Sequence, residues 1–158
     1  MLRVRVVAVG KVRTPGLASA IEEYENRLRH YFHFEAVSVA AAQLPDERSE
    51  DAKTSEATAL LRQIPETDLL VALTRAGKGW TTRNMAKHIE DMQTYGTGDL
   101  SFAIGGAHGL GDAVLEQARF HVSLSNMTLP HELARLVLTE QLYRVGTILR
   151  GEPYHKGP

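Results

Sequence analysis

The sequence predicts an α/β fold, a mostly parallel sheet with helices on both faces, and two observations carry that expectation. Short apolar runs alternate with stretches of helical periodicity along the chain. One run, Asp68 to Leu73 (DLLVAL), is continuously apolar between polar flanks, the pattern of a strand buried on both faces. In such a sheet ligands bind at the carboxyl ends of the strands, so the informative segments are those just beyond Leu73, Ile104 and Leu124, each of unusual composition.

The elements follow in order. Leu2 to Val9 alternates and is rich in valine, so it reads as a strand ended by Gly10. Leu17, Ile21, Tyr24 and Leu28 form the stripe of an amphipathic helix running from Leu17 to Tyr31. Phe34 to Val39 is a second strand. Residues 41 to 50, AAQLPDERSE, have turn chemistry and charge without a period and are expected to form a mobile loop. A helix from about Asp51 to Gln63 stops near Pro65. After the buried strand, Arg75 to Thr82 (RAGKGWTT) reads as a turn with two glycines. There follow a helix from Arg83 to Tyr95, a strand from Leu100 to Ile104, a helix from Asp112 to Arg119, a strand from Phe120 to Leu124 and a long helix from Pro130 to Leu149. Pro130 suits a first helical position, where an N–H would go unused in any case. A chain of 158 residues supports one core, so a single domain over residues 1–158 is expected.

Composition excludes several functions. Hydrophobic residues at 43% and charged residues at 23% are ordinary for a globular protein, which disfavours disorder. No apolar run approaches the roughly 20 residues of a membrane-spanning helix. Arg3 and Arg5 interrupt the apolar start in a way that a secretory signal would not, so a cytoplasmic protein without a membrane partner is expected. The absence of cysteine removes disulfides, thiolate nucleophiles and thiolate zinc sites. The seven histidines are scattered, and His30 and His33 have no third ligand nearby, so no metal is expected.

A net charge of −1 does not by itself announce a nucleic-acid binder. Basic residues do gather towards both termini (Arg3, Arg5, Lys11 and Arg13; Arg144, Arg150, His155 and Lys156), while Asp46, Glu47, Glu50, Asp51 and Glu56 make one stretch acidic. A basic surface forms if the termini share one side; ordinary solvated faces would read the same way.

Two strand exits carry most of the chemical signal. After Ile104 come four glycines in seven positions, Gly105-Gly106-Ala107-His108-Gly109-Leu110-Gly111, which lets a ligand approach bare backbone. The order differs from the G-x-G-x-x-G of a dinucleotide site, and Asp112 would oppose a pyrophosphate at the next helix start. A cationic nucleoside without phosphate, such as S-adenosylmethionine, is compatible with this loop; so is a tight turn that binds nothing. The second exit, Ser123 to Glu132, keeps free backbone groups ahead of the long helix that could read an adenine edge, with Met127 and Leu129 placed to flank the ring. Serine and asparagine there would equally serve as turn and cap residues. The long helix is apolar over more than one face, through Leu133, Leu136, Val137 and Ile148 as well as Leu138, Leu142, Val145 and Leu149, a coverage that the rest of the fold, or the fold together with a second subunit in a homodimer, would bury.

Four ordered motifs, LTRAGKGW (73–80), FAIGGAHGL (102–110), SLSNMTLPHELARLVLTEQLYR (123–144) and PYHK (153–156), together closely resemble the small SPOUT methyltransferases that act on ribosomal RNA, specifically the large-subunit methyltransferase H family. The resemblance covers essentially the whole chain. It implies an α/β domain with a deep C-terminal trefoil knot, a homodimer, S-adenosylmethionine as cofactor and N3 of a pseudouridine as methyl acceptor. It places cofactor contacts on Leu73, Gly105, Gly106, Ser125, Asn126, Met127, Thr128, Leu129 and Pro130, and the catalytic, RNA-facing region on His131, Arg144, Tyr154 and His155. Ala107-His108 stands where Pro-Glu is common in the family, which leaves the role of His108 open.

The chemistry so implied is an in-line displacement that needs alignment above all. His155 is the candidate general base, or a partner to a water that takes the N3 proton, because imidazole titrates near neutrality. Arg144 would hold a phosphate or stabilise charge developing on the base carbonyls, and Tyr154 would stack on the base. Two other functions fit the same residues: an RNA-binding or ribosome-assembly module without catalysis, and a SPOUT enzyme acting on transfer RNA.

Overall fold

Among the described residues, every strand runs parallel to its neighbours in the sheet. The computed structural model describes residues 1–96 and 98–157, and its elements run β1 (Arg3–Val9), α1 (Pro15–Leu28), β2 (His33–Val39), α2 (Ser49–Arg62), β3 (Leu69–Gly79), α3 (Thr82–Tyr95), β4 (Leu100–Ile104), α4 (Asp112–Gln117), β5 (Phe120–Ser123) and α5 (His131–Leu149). The strands form one sheet in the order β2-β1-β4-β3-β5. Such a sheet must be covered on both faces, and side-chain alternation divides the cover. Val4, Val6 and Ala8 point with Phe102 and Val71 into a core closed by Leu28 of α1, Ile89 of α3 and Leu138, Leu142 and Val145 of α5. Val7 and Val9 point the other way with Ala72 and Ala103, against Leu60 of α2 and Val114 of α4. The α/β class and the two-sided cover expected from the sequence are both present.

Three local expectations need correction. Residues 75–79 are not a turn: β3 continues through Gly79 and pairs a second time with β5, Lys78 with Val122 and Gly79 with Ser123, after a register shift between Leu73 and Lys78. Gly77 serves close approach rather than chain reversal, since a Cβ there would lie 2.6 Å from the His121 and Val122 backbone. Pro130 caps α5 instead of opening it; its extended conformation (ψ 152°) leaves its carbonyl to accept from Ala134 N–H at 3.0 Å. Within 41–50, Asp46–Arg48 forms a 3₁₀ turn and Ser49 begins α2, helped by the Arg48–Asp51 ion pair at 3.0 Å.

Several of the terminal basic residues are engaged within the fold. Arg5 is buried and paired with Asp68, which also accepts from Ser101 Oγ at 2.6 Å. Arg144 is bound to Glu140, and Arg150 donates to the His30 carbonyl at 2.5 Å. Among the described residues no helix is long and apolar enough to cross a membrane, and no cluster of three or more metal-ligating side chains occurs.

Candidate functional site

The carboxyl end of β4 and the middle of β3, where its register shifts after Leu73, open into a cavity of about 550 Å³. Its floor is Leu73 and Ile104; one wall is the glycine loop Gly105–Leu110 and the other the loop from Leu124 to Pro130, with His131 and Ala134 of α5 at the back. Of the residues marked from sequence as cofactor contacts, Leu73, Gly105, Gly106, Ser125, Met127, Thr128, Leu129 and Pro130 line this one cavity, and Asn126 does not. Sequence reading did not single out Thr74, Arg75 and Leu124, which also line it. Arg75 carried a signal only in retrospect, since it sat in a segment read as a turn.

Each wall is held by local chemistry. Gly106 and Gly109 form an isolated bridge, with Gly109 N–H donating to the Gly106 carbonyl at 3.1 Å. Gly105 lies so close to that turn that a Cβ would stand 2.6 Å from the Gly109 carbonyl carbon. On the other wall, Ser123 Oγ donates to the Ser125 carbonyl at 2.8 Å, and Met127 N–H donates to Ser125 Oγ at 3.0 Å. Arg75 Nη1 donates to Thr128 Oγ1 at 2.9 Å and so ties the second wall to the strand that supplies the floor. These bonds satisfy the serine and threonine side chains locally and leave an apolar floor beneath backbone-lined walls.

The back of the cavity is anchored to the β1–α1 connection. Glu132 accepts from the Arg13 backbone N–H and from Thr14 Oγ1, the latter at 2.6 Å. The Thr14 hydroxyl and then the Arg13 N–H hold the Glu132 carboxyl below its ordinary value. His131 lies beside Gly10, where a Cβ would come 3.0 Å from Nε2. The partners of Glu132 lie 119 and 118 residues away in the chain and carry no local signature.

His131 is the only one of the four candidate catalytic residues that reaches the cavity. Arg144 lies 13 residues further along α5, roughly 20 Å at 1.5 Å per residue. There its Nε and Nη2 donate to Glu140 Oε1 at 3.1 and 2.6 Å, and Tyr154 OH donates to the same oxygen at 3.2 Å. The Arg144 guanidinium also stands 4.8 Å from the centre of the Tyr154 ring. Hydrogen bonding to Glu140 raises the Arg144 pKa, and burial followed by a hydrogen bond with Tyr24 pushes the Tyr154 phenol up to about 12. Next in the chain, His155 Nε2 faces the Gly157 carbonyl at 3.1 Å, and its buried Nδ1 has no hydrogen-bond partner among the described residues. The structure therefore brings Arg144 and Tyr154 together on Glu140, with His155 next in the chain, and none of the three lines the cavity.

A parallel sheet whose strand ends open into a glycine-walled cavity, closed by a long C-terminal helix, agrees with the comparison to known proteins: the chain belongs to the SPOUT methyltransferases, the model described as "Predicted SPOUT methyltransferase" matching residues 2–155. Its relatives include proteins named "Ribosomal RNA large subunit methyltransferase H" from Anaeromyxobacter sp. (strain Fw109-5), 47% identical, and Gemmatimonas aurantiaca, 40% identical; each alignment covers 98% of this chain and all of the relative. Among solved structures, the fold resembles that of a protein described as a probable methyltransferase from Bordetella pertussis Tohama I (TM-score 0.55, 16% identity, 91% of this chain and 96% of that one). It also resembles a methylase family protein from Neisseria gonorrhoeae (TM-score 0.58, 12% identity, 99% and 87%).

Proposed function

We propose that this protein is a homodimeric methyltransferase that binds S-adenosylmethionine in the β3–β4 cavity and methylates N3 of a pseudouridine in large-subunit ribosomal RNA. Membership of the SPOUT methyltransferases implies S-adenosylmethionine as the methyl donor, and the relatives' names supply the ribosomal RNA. The observation that carries the reading is the convergence of eight sequence-marked residues around one cavity. At about 550 Å³ it lies within the roughly 300–1,000 Å³ usual for small-molecule sites. Its lining offers this donor an apolar floor and bare backbone at Gly105 and Gly106, with the Arg75 guanidinium engaged by Thr128 Oγ1. The walls belong, in this reading, to the trefoil knot of the family, and the ribosomal substrate places the protein in the cytoplasm.

Once bound, S-adenosylmethionine supplies an electrophilic methyl group on its sulfonium. The chain's own part is to orient and to manage one proton. The two loops fix the donor against Leu73 and Ile104, and well-aligned geometry alone contributes about 7–11 kcal/mol towards such a displacement. His155 is the group proposed to accept the N3 proton. Arg144 spends Nε and Nη2 on Glu140, so the Nη1 edge is the part proposed to meet the RNA. A single chain holds these groups too far from the cavity to serve one base. The partner subunit is thus proposed to bring its C-terminal cluster to this chain's cavity. Leu133, Leu136 and Val137, partly exposed on α5 beside His131 and Ala134, are the apolar surface such a partner would cover.

Calorimetry with S-adenosylmethionine tests the cavity, and micromolar affinity is the expected result. Nucleoside mass spectrometry of ribosomal and transfer RNA from a deletion strain tests the substrate: loss of a methylated pseudouridine from large-subunit RNA supports the reading, and loss from transfer RNA alone overturns it. His155→Ala should retain donor binding and lose most RNA methylation; unchanged turnover would remove His155 from the mechanism.

A further inference from the structure

Beneath the glycine wall lies a carboxylate that the proposed mechanism does not use. Glu56 of α2 is only 6% exposed. Its Oε2 accepts from the Ala42 backbone N–H at 3.1 Å, whereas its Oε1 is buried without a partner. Both oxygens face Gly106: a Cβ built there would lie 3.3 Å from Oε2 and 3.4 Å from Oε1. Glu56 thus touches the back of the loop whose front lines the cavity. Buried carboxylate oxygens left unpaired are rare in native proteins, because desolvation is uncompensated until a donor arrives.

We propose that Glu56 is a positioning residue for the methyl donor: its Oε1 is an acceptor held for a backbone N–H of the Gly105–Gly109 loop, and that bond forms when the loop settles onto bound ligand. The free protein carries the unpaired oxygen, and binding relieves it. Donor affinity is then linked to a contact on the far side of the loop from the ligand. The candidate donors are main-chain N–H groups of this loop, where Gly105, Gly106 and Gly109 carry no side chain that could obstruct a small rotation. The inference rests on the cavity being the donor site.

Glu56→Gln is the informative variant, because its amide keeps an acceptor for Ala42 N–H and places a donor where Oε1 stood. The expected result is a dissociation constant for S-adenosylmethionine raised about tenfold by calorimetry, together with an unchanged or higher melting temperature of the ligand-free protein. A residue that merely supports the fold would lower stability and affinity together. Glu56→Asp, which keeps the charge but shortens the reach, should likewise weaken binding. Wild-type affinity in Glu56→Gln, or parallel loss of stability and affinity, overturns the proposal. Failure of the wild-type protein to bind the donor overturns the cavity assignment instead, so the two failures are distinguishable.

Discussion

Replacing Gly105 by alanine adds one methyl group at the tightest point of the cavity wall. The new Cβ would stand 2.6 Å from the Gly109 carbonyl carbon, 2.8 Å from its oxygen and 2.9 Å from Leu110 N. All three atoms are backbone, so no flexible side chain can yield. Carbon atoms pack best at about 3.5–4.0 Å, and the turn must therefore move by roughly 1 Å. Over-filling of this kind costs about 1–3 kcal/mol of stability. A reacting geometry displaced by roughly 1 Å loses on the order of 10²-fold in rate. Gly105→Ala should accordingly show a lower urea midpoint, weaker donor binding by calorimetry and about a hundredfold slower single-turnover methylation of ribosomes. A variant with wild-type midpoint, affinity and rate would refute the assignment of this wall to the donor.

Two further outcomes follow from the same geometry. Gly77→Ala drives a methyl into the His121–Val122 backbone and should cost about 1–3 kcal/mol by separating β3 from β5, read as a reduced urea midpoint with an unchanged slope. Glu132 has a folded pKa below its ordinary value of 4.5, so its contribution to stability is complete above that value and is lost as the pH falls through the lowered one. Melting temperatures of the wild type and Glu132→Gln should therefore differ near neutrality and converge in acid; a gap that persists at the lowest accessible pH would contradict the role of the Thr14 and Arg13 bonds.

Much of the architecture was readable residue by residue because its causes are local. Alternating valines in Arg3–Val9 and the unbroken apolar run beginning at Leu69 can satisfy a buried strand whatever surrounds them. The stripe of Ile21 and Leu28 buries one face of a helix by periodicity alone. The glycine loop and the Ser-Asn-Met-Thr segment also announced themselves through composition, since positive φ and bare backbone leave their mark on residue type.

What escaped was set by contacts distant in sequence. Gly77 looks like a turn residue, and only the passage of β5 across it shows why a side chain is forbidden there. Arg5 looks like a surface cation until Asp68 and Ser101 close around it. The grouping of Arg144 and Tyr154 on Glu140, well away from the cavity that His131 enters, depends on the rise of α5 and the return of the C-terminal tail. Sequence by itself determined the layered fold and the two loops that wall the cavity, because propensity and periodicity are properties of neighbours along the chain. Tertiary structure alone decided which polar groups are buried, what they bind and which candidates share one site, because desolvation and hydrogen-bond pairing depend on atoms that meet only after folding.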